Sequence, residues 1–215
     1  MVLCRLCSAQ TLLFCVYKER EYHRCPQCFL IQLRRSQCPS FEDEQAEYML
    51  HRNDPHDQGY RRFLSPVTNA MLEWLDTEQR QNPQILDFGA GSGPTISVVL
   101  EEQGWKVHNY DPFFFPDRSA LARRYDLISC TEVVEHFYEP QRAWELLMSL
   151  RTDHGQVVVM TQCSDAHFTA VDFQAWRYIQ EKSHVAFYHS KTMFWIAKHY
   201  GLQVSRLSPS VFWFS

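Results

Sequence analysis

The segment "QILDFGAGSGPTISVVLEEQG" constrains the fold of this chain more than any other stretch. Residues Ile85 to Phe88 predict a buried strand, and residues Pro94 to Gln103 predict a helix that Gly104 ends. The turn between them contains three glycines, Gly89, Gly91 and Gly93. Glycine lets the backbone turn tightly and lets a ligand approach it closely. A strand, a glycine-rich turn and a helix in this order favour an α/β fold.

Strand and helix patterns continue to alternate along the rest of the chain. Strands are predicted at "WKVHNYDP", "YDLISC", "GQVVVMTQ", "LQVSRL" and "VFWF", with helices over residues 140–150 and 190–200. This alternation predicts a doubly wound, Rossmann-like sheet. Ahead of it, Ser65 and Pro66 predict the start of a helix. We therefore predict three parts: a small module over residues 1–39, a helical lead-in over 40–82 and the α/β domain over 83–215.

The composition narrows the class of protein. The chain has 215 residues, of which 45 % are hydrophobic, enough for one well-cored domain and a small appendage. Its net charge of −4 argues against a protein that binds nucleic acid through a global basic field. No apolar run approaches the roughly 20 residues of a membrane helix, and the start "MVLCRLCSAQ" has no signal-peptide pattern. We therefore expect a cytoplasmic protein without a membrane partner.

Four of the eight cysteines form two close pairs. Cys4 and Cys7 make one CxxC, Cys25 and Cys28 make another, and 17 residues separate the pairs. Zinc prefers four soft ligands in a tetrahedron, and each CxxC turn offers two thiolates on one side. This spacing predicts a structural zinc site. The alternative is two unrelated pairs of thiols.

The residues around these cysteines predict a zinc ribbon over residues 1–39. The stretches between and after the pairs favour strands, and so short a segment needs a metal because it cannot bury a core of its own. It contains six basic and two acidic residues, a charge of +4, so the remainder carries −8. The ribbon could contact an acidic partner, or it could present an ordinary solvated basic face.

The glycine turn and its neighbours resemble the class I S-adenosylmethionine-dependent methyltransferases, over residues 60–215. The resemblance rests on "LDFGAGSG", on the acid that ends the second strand in "NYDP", and on "YDLISCTEVVEH". In that family the glycine loop holds the methionine part of the cofactor, the acid binds the ribose, and the fourth strand ends beside the methyl group. A glycine turn in another kind of α/β domain is the alternative.

The resemblance implies S-adenosylmethionine as the cofactor and assigns its binding residues. They are Asp87, Gly89, Ala90, Gly91, Gly93, Asp111, Pro112, Cys130, Thr131 and Glu132. Tyr60 and Arg61, ahead of the domain, are expected to meet the carboxylate of the cofactor.

The sequence departs from the family at one place. Only 14 residues lie between Asp111 and Asp126, too few for the helix and third strand that the family usually has there. We therefore expect the third strand to be stunted or absent. Phe113 to Phe115 would then cover the adenine or plug the edge of the sheet.

The stretch "CTEVVEHF" places Glu132, Glu135 and His136 directly after a predicted strand. In a helical turn these three side chains share one face. The motif resembles the ExxEH of ubiquinone-pathway O-methyltransferases and of small-RNA 3′-terminal 2′-O-methyltransferases. In the latter a metal takes a further histidine downstream, for which His184 is the best candidate.

Glu132, Glu135, His136 and His184 are therefore the predicted catalytic residues. Three roles stay open for the motif: binding a second divalent metal, lining the substrate pocket without a metal, or a structural role. A metal would bind vicinal oxygens of the substrate and lower the pKa of the attacking one.

The segment near 163–189 is long for a connection between a strand and a helix, and it is rich in aromatic residues and histidines. It predicts a substrate lid inserted in the α/β domain. The alternative is a surface helix that packs its aromatic side chains inward.

Three functions are compatible with these features. The first is an enzyme that methylates an oxygen atom of a small-molecule acceptor, which it would align and deprotonate with a positioned base. The second is a methyltransferase for RNA that docks its substrate with the ribbon. The third is a binding module without catalysis, against which the intact glycine loop, Asp111 and the "EVVEH" motif argue.

Overall fold

The computed structural model describes residues 1–49, 53–78, 81–165 and 168–215. Its strands are β1 (Leu12–Tyr17), β2 (Arg20–Arg24), β3 (Ile31–Leu33), β4 (Ile85–Phe88), β5 (Val107–Tyr110), β6 (Tyr125–Thr131), β7 (Arg151–Met160), β8 (Cys163–Ser164), β9 (Ala186–His189), β10 (Val204–Arg206) and β11 (Val211–Phe214). Its α-helices are α1 (Phe41–Tyr48), α2 (Gln58–Glu78), α3 (Thr95–Glu101), α4 (Pro140–Ser149), α5 (Ala170–Ala175) and α6 (Ser190–His199). Short 3₁₀ turns lie at Arg35–Gln37, Arg118–Ala122, Val134–His136 and Arg177–Gln180.

The larger sheet has the order β10-β11-β7-β6-β4-β5. Strands β5, β4, β6 and β7 are parallel, and β11 and β10 continue the sheet in antiparallel pairing. Helices α2 and α3 pack their apolar side chains on one face, and α4 and α6 pack theirs on the other. Because both faces are covered, β4 is buried along its whole length. The predicted doubly wound α/β sheet is confirmed.

The third strand of the usual arrangement is absent between β5 and β6, a segment that the structure describes in full. The 3₁₀ turn at Arg118–Ala122 packs beside β5 in its place. Ala120 is buried there, and its carbonyl accepts a hydrogen bond of 2.8 Å from the Tyr125 hydroxyl. The connection is too short for a strand, as the sequence predicts, and it covers the edge of the sheet with a turn.

Helix α2 begins at Gln58, seven residues before the predicted start at Ser65, and contains Pro66 in its interior. Proline has no N–H to donate to the carbonyl four residues earlier. The Ser65 hydroxyl donates to the Arg62 carbonyl instead, at 2.8 Å. The side chain of Ser65 thus satisfies the oxygen that Pro66 leaves without a backbone donor.

The smaller sheet joins the ribbon to the segment predicted as a lid. Its order is β1-β2-β3-β9-β8, and β3 pairs antiparallel with β9 so that Ile31 lies opposite Phe187. The knuckle cysteines pack in the same apolar cluster as the core of the α/β domain. The ribbon is therefore continuous with the rest of the molecule.

The aromatic residues of the segment near 163–189 pack mostly inward, against the prediction of a lid with aromatic walls. Phe173 and Phe187 are buried against Tyr22 of the ribbon, with ring centroids 5.0 and 5.8 Å from it. Tyr178 and His184 of this segment do line a cavity. The alternative interpretation is thus correct for most of the aromatic side chains.

In the described part of the chain, no helix combines the length and the apolar character that crossing a membrane requires.

Candidate functional site

A cavity of about 760 Å³ opens at the carboxyl ends of β4, β5 and β6. This is where parallel α/β sheets bind ligands, and the volume is typical of a pocket for a small molecule. Its walls include most of the predicted cofactor residues: Tyr60, Asp87, Gly89, Ala90, Gly91, Gly93, Asp111, Pro112, Thr131 and Glu132. Helix α1 also contributes to the wall, and the Phe41 and Tyr48 rings contact Phe113 at centroid distances of 4.9 and 5.4 Å.

The glycine loop requires glycine for two different reasons. Gly89 and Gly91 have φ angles of +79° and +63°, which other residues rarely adopt. Gly93 is required by a close approach, because a Cβ atom there would lie 1.7 Å from the backbone oxygen of Asn53. The sequence predicts room for a ligand at these positions, and the structure shows that the chain itself occupies the space beside Gly93.

Asp111 ties the glycine loop to the loop that follows β5. Its carboxylate accepts hydrogen bonds from the backbone N–H groups of Gly91 at 3.0 Å, Phe113 at 2.8 Å and Phe114 at 3.0 Å. The side chain is buried at the cavity wall. One carboxylate therefore fixes both loops between which a ligand would bind.

Asp87, at the end of β4, is a buried carboxyl group on the cavity wall. The Ser129 hydroxyl donates to it at 2.8 Å. Burial raises the pKa of Asp87 to about 7, and the bond from Ser129 opposes this shift only in part. The ionised form is therefore disfavoured by the fold.

An Asp87→Asn substitution is expected to alter the pH dependence of stability. The pKa of Asp87 in the folded protein, about 7, exceeds its ordinary value of 3.8, so its contribution is most favourable below pH 3.8 and is lost as the pH rises through 7. The variant lacks this loss. We expect the variant to be more stable than wild type at pH 8 by about 1–2 kcal/mol. The amide avoids the cost of a buried negative charge, but it replaces the hydrogen bond of the carboxyl group less well, which reduces the gain in stability. Urea unfolding at pH 5 and pH 8 measures this, and equal pH dependence in both proteins would contradict it.

Two predicted cofactor residues lie elsewhere. Cys130 is fully buried in β6, and its side chain belongs to the apolar core instead of the cavity wall. Arg61 donates to the Pro55 carbonyl at 2.8 Å and forms an ion pair with Glu102 at 2.6 Å. Because these partners hold its guanidinium outside the cavity wall, the predicted role of Arg61 toward a cofactor carboxylate is not supported. Tyr60, one residue earlier in α2, does line the cavity.

Glu132 marks the end of β6 and has a backbone that few residues adopt. Its φ angle is +51°, and its N–H donates to the Met160 carbonyl at 2.8 Å. Such conformations cost about 1–3 kcal/mol and concentrate at functional sites. One carboxylate oxygen, Oε1, is buried and has no hydrogen-bond partner in the part of the chain that the structure describes, although the side chain reaches the cavity. An unpartnered buried oxygen is a candidate for contact with a ligand.

The predicted single helical face of the motif is wrong. The turn at Val134–His136 is a 3₁₀ turn, and the left-handed backbone of Glu132 redirects the chain just before it. Glu135 instead points inward and is fully buried. The potential metal-binding atoms of Glu135, His136 and His184 lie within 4.8 Å of one another, a group that does not include Glu132. Three of the four predicted catalytic residues therefore form one group of potential metal ligands, and Glu132 lies beside it, with the Tyr178 hydroxyl between Glu132 and Glu135.

Hydrogen bonds fix the rings of both histidines. His184 Nδ1 lies 2.8 Å from the Tyr178 carbonyl, and His136 Nδ1 lies 3.2 Å from the Ser183 carbonyl. A carbonyl oxygen can only accept, so each ring carries its proton on Nδ1 and its lone pair on Nε2. Metal-binding histidines in proteins are commonly oriented in this way. The donor set therefore fits a divalent metal ion.

Tyr178 is a polar member of the site that the sequence does not identify. Its hydroxyl contacts Glu135 Oε1 at 2.5 Å, Thr161 Oγ1 at 3.0 Å and Glu132 Oε2 at 3.5 Å. Thr161 also donates to the other oxygen of Glu135, at 2.9 Å. No motif marks a tyrosine six residues before a histidine, so only the fold reveals this contact.

Burial raises the pKa values of both acids, Glu132 and Glu135. Desolvation is the main cause for each; the neighbouring Glu135 carboxylate raises the pKa of Glu132 further, whereas the hydrogen bonds that Glu135 makes oppose the shift of its own pKa. Two carboxylates this close in a buried place need a cation or a shared proton. A metal ion at the cluster would supply the cation.

The four knuckle cysteines form a second cluster. Sulfur–sulfur distances are 3.5 Å between Cys4 and Cys28 and 3.4 Å between Cys7 and Cys25. These are too long for a disulfide, which needs about 2.05 Å. They approach the edge of about 3.8 Å that a tetrahedron with Zn–S bonds of about 2.3 Å requires. All four Sγ atoms lie within 4.8 Å of one another, so the predicted ligands are assembled for a zinc ion.

Comparison with known proteins identifies relatives of this chain. Residues 56–207 match the family described as Methyltransferase domain. The ribosomal protein L11 methyltransferase of Neisseria gonorrhoeae is 25% identical over 119 residues, which are 46% of this chain and 39% of that protein. The chain thus spans about two fifths of the length of this relative.

Solved structures show the same fold. A protein from Pyrococcus horikoshii OT3 superposes with a TM-score of 0.54 at 12% identity, covering 79% of this chain and 96% of that one. Magnesium protoporphyrin IX methyltransferase from Synechocystis PCC 6803, solved with bound SAH, gives a TM-score of 0.51 at 14% identity, covering 81% and 92%. At these identities the likeness establishes the fold alone.

Proposed function

Because this chain belongs to the methyltransferase domain family, we propose that it transfers a methyl group from S-adenosylmethionine to an oxygen atom of a small-molecule acceptor, with the help of a divalent metal ion. As a member of this family it is an S-adenosylmethionine-dependent methyltransferase. Our proposal adds two features to that assignment: oxygen as the atom that is methylated, and a metal ion that assists the transfer. The arrangement of Glu135, His136 and His184 beside the cavity carries both features.

The walls near the glycine loop suit the cofactor. Asp111 Oδ2 accepts only one backbone N–H and can accept a further hydrogen bond from a ribose hydroxyl, and the glycine loop beside it suits the methionine part. Tyr60 and Thr131 complete this half of the cavity. The Synechocystis neighbour was solved with bound SAH, which supports a cofactor of this kind for the proposed reaction.

The acceptor half lies toward the histidines. Gln162, Tyr178, Glu181 and His184 line the cavity there, beside Glu132. A metal held by Glu135, His136 and His184 would bind an acceptor oxygen and lower its pKa. Glu132 Oε1 is available to accept a hydrogen bond from the acceptor hydroxyl, because it has no hydrogen-bond partner among the described residues. Two imidazoles and one carboxylate suit Mn²⁺, Fe²⁺ or Zn²⁺.

Charge pairing in the ribbon favours a small acceptor over RNA. Arg34 pairs with Glu21 at 2.8 Å, Arg35 pairs with Glu139 at 3.0 Å, and Arg5 is used inside the molecule. Arg20 also donates to the Lys182 carbonyl at 3.0 Å, so protein groups engage four of the six basic residues of the ribbon. RNA binding would need a continuous basic surface that leads to the cavity. Arginines that already pair with protein groups contribute little to such a surface.

Metal binding provides the first test of the proposal. Wild-type protein is expected to bind one zinc ion tightly and one exchangeable Mn²⁺ or Co²⁺ per chain. Glu135→Gln and His184→Ala each remove a ligand, so both should lose the exchangeable ion, keep the zinc and bind S-adenosylhomocysteine within about threefold of wild type. Titration calorimetry and elemental analysis measure these quantities.

The control is His154→Ala, which removes an exposed histidine of β7 far from the cluster. It should bind both ions like wild type. Unchanged Mn²⁺ binding by both cluster variants would reject the metal. Transfer of labelled methyl groups to nitrogen or carbon across a panel of hydroxylated and amino acceptors would reject oxygen as the acceptor atom.

A further inference from the structure

Arg5 lies between the cysteines of the first knuckle and connects the ribbon to two other parts of the chain. Its Nη1 donates to the Tyr138 carbonyl. Its Nη2 donates to the carbonyls of Leu33, at 3.2 Å, and Val185, at 2.8 Å. One partly buried guanidinium thus binds β3, the segment after His136 and the residue after His184.

The backbone of Arg5 is fixed as well. Its N–H donates to Gln32 Oε1 at 2.8 Å, and its carbonyl accepts from the N–H of Gln141, in the first turn of α4, at 3.1 Å. Gln32 also donates from Nε2 to the Leu3 carbonyl at 2.8 Å. The knuckle therefore holds the Arg5 side chain at a defined place against the α/β domain.

Short chains of hydrogen bonds lead from Arg5 to the metal cluster. The Val185 carbonyl, which Arg5 binds, also accepts from the Leu33 N–H at 3.0 Å. The Val185 N–H donates to the Glu135 carbonyl at 2.9 Å. Arg5 thereby fixes the residue beside His184 and, through it, the backbone of Glu135. Its other contact, at Tyr138, lies two residues from His136.

The contacts of Arg5 suit a positioning role better than a contribution to stability. Burial lowers the pKa of Arg5, and the acceptors of its guanidinium among the described residues are carbonyls without a carboxylate. Its Nε atom is buried, and no described residue hydrogen-bonds to it. A largely buried charge of this kind is commonly neutral or unfavourable relative to an apolar side chain of similar size. The contribution of Arg5 is to fix positions, because its planar guanidinium can hold three backbone carbonyls in a defined arrangement.

We propose that Arg5 is a positioning residue that transmits the geometry of the four-cysteine centre to Glu135, His136 and His184. The ribbon then acts as an internal support for the acceptor half of the site. The functional part of this inference rests on the metal-assisted transfer proposed above. The positioning itself does not, because it concerns the backbone around Val185 and Tyr138.

The test uses the full-length, zinc-loaded protein with Arg5→Met and Arg5→Lys. Methionine keeps much of the apolar stem without donors, and lysine keeps the charge but cannot bridge three carbonyls. For Arg5→Met we expect at least tenfold faster amide exchange at Val185 and at least tenfold weaker binding of Mn²⁺. Zinc content should stay at one per chain, and affinity for S-adenosylhomocysteine should stay within threefold. Arg5→Lys should show an intermediate effect.

Arg34→Met is the matched control, because Arg34 lies on the same ribbon but is exposed and pairs with Glu21. It should match wild type in every measurement. Wild-type exchange at Val185 in Arg5→Met would overturn the proposal, and so would equal losses of Mn²⁺ and S-adenosylhomocysteine binding. If Arg5→Met does not fold, Arg5→Lys decides by the same criteria. If wild type binds no Mn²⁺, the metal part of the proposed function fails, while exchange at Val185 still decides the role of Arg5.

Discussion

Replacement of Cys25 by serine is expected to release the zinc ion and unfold the ribbon. Cys25 is fully buried, and its Sγ lies 3.4 Å from that of Cys7. Zinc binding supplies about 10–16 kcal/mol to small zinc-dependent folds, and a serine oxygen is a poor substitute for a thiolate. The ribbon pairs with β9, so the loss should extend to that strand. We expect a destabilisation of several kcal/mol, far more than an ordinary buried substitution produces.

Elemental analysis and thermal melting measure this effect. Wild type should hold one zinc per chain, and Cys25→Ser should hold less than a tenth of that and melt at a lower temperature. Cys38→Ser is the control, because Cys38 lies on the same segment outside the four-cysteine cluster. Full zinc retention in Cys25→Ser would show that these thiols are not the ligands.

Asp111→Ala should produce the second large effect, on cofactor affinity. The substitution removes the acceptor for three backbone N–H groups and the acceptor proposed for a ribose hydroxyl. Losing one hydrogen bond to a charged group in a closed pocket costs about 1.5–3 kcal/mol, or roughly 10- to 150-fold in affinity. Loosening of the glycine loop acts in the same direction. Calorimetric titration with S-adenosylhomocysteine measures the change.

Asp117→Ala provides a matched control for that substitution. Asp117 also accepts from a backbone N–H, that of Ser119 at 2.9 Å, but it is exposed at the start of a 3₁₀ turn. Its removal should reproduce a loss of loop hydrogen bonding without a loss of ribose contacts. Similar affinities in both variants would mean that Asp111 does not bind the cofactor.

The parts of the site that follow from the sequence are those determined by neighbours along the chain. The glycine loop after β4 and the acid after β5 need only a strand, a turn and the right residue types. The two CxxC pairs are equally local, since each turn presents two sulfurs by itself. The short connection after Asp111 also excludes a third strand by length alone. These features were predictable, and the fold confirms them.

The contacts that were missed depend on parts of the chain that are distant in sequence. Tyr178 reaches Glu135 across 43 positions, and Arg5 reaches Val185 across 180. Nothing in the local pattern of either residue marks its partner. Glu132 was misplaced for another reason: periodicity assumes regular helical angles, and its φ of +51° breaks that assumption. The sequence also did not indicate that Arg61 pairs with an exposed acid, Glu102, which lies 41 positions away.

The pairing of β3 with β9 makes the ribbon and the segment near 163–189 structurally dependent on each other. Ile31 lies opposite Phe187, 156 positions along the chain. A chain that began at residue 40 would leave the edge of β9 unpaired and uncover the apolar cluster around Phe173, and such edges favour association between molecules. If the ribbon were replaced by that of a relative, its third strand would have to pair with a β9 strand whose side chains it does not match. We therefore expect a functional exchange between related proteins to require that both segments are replaced together, although they lie far apart in the sequence.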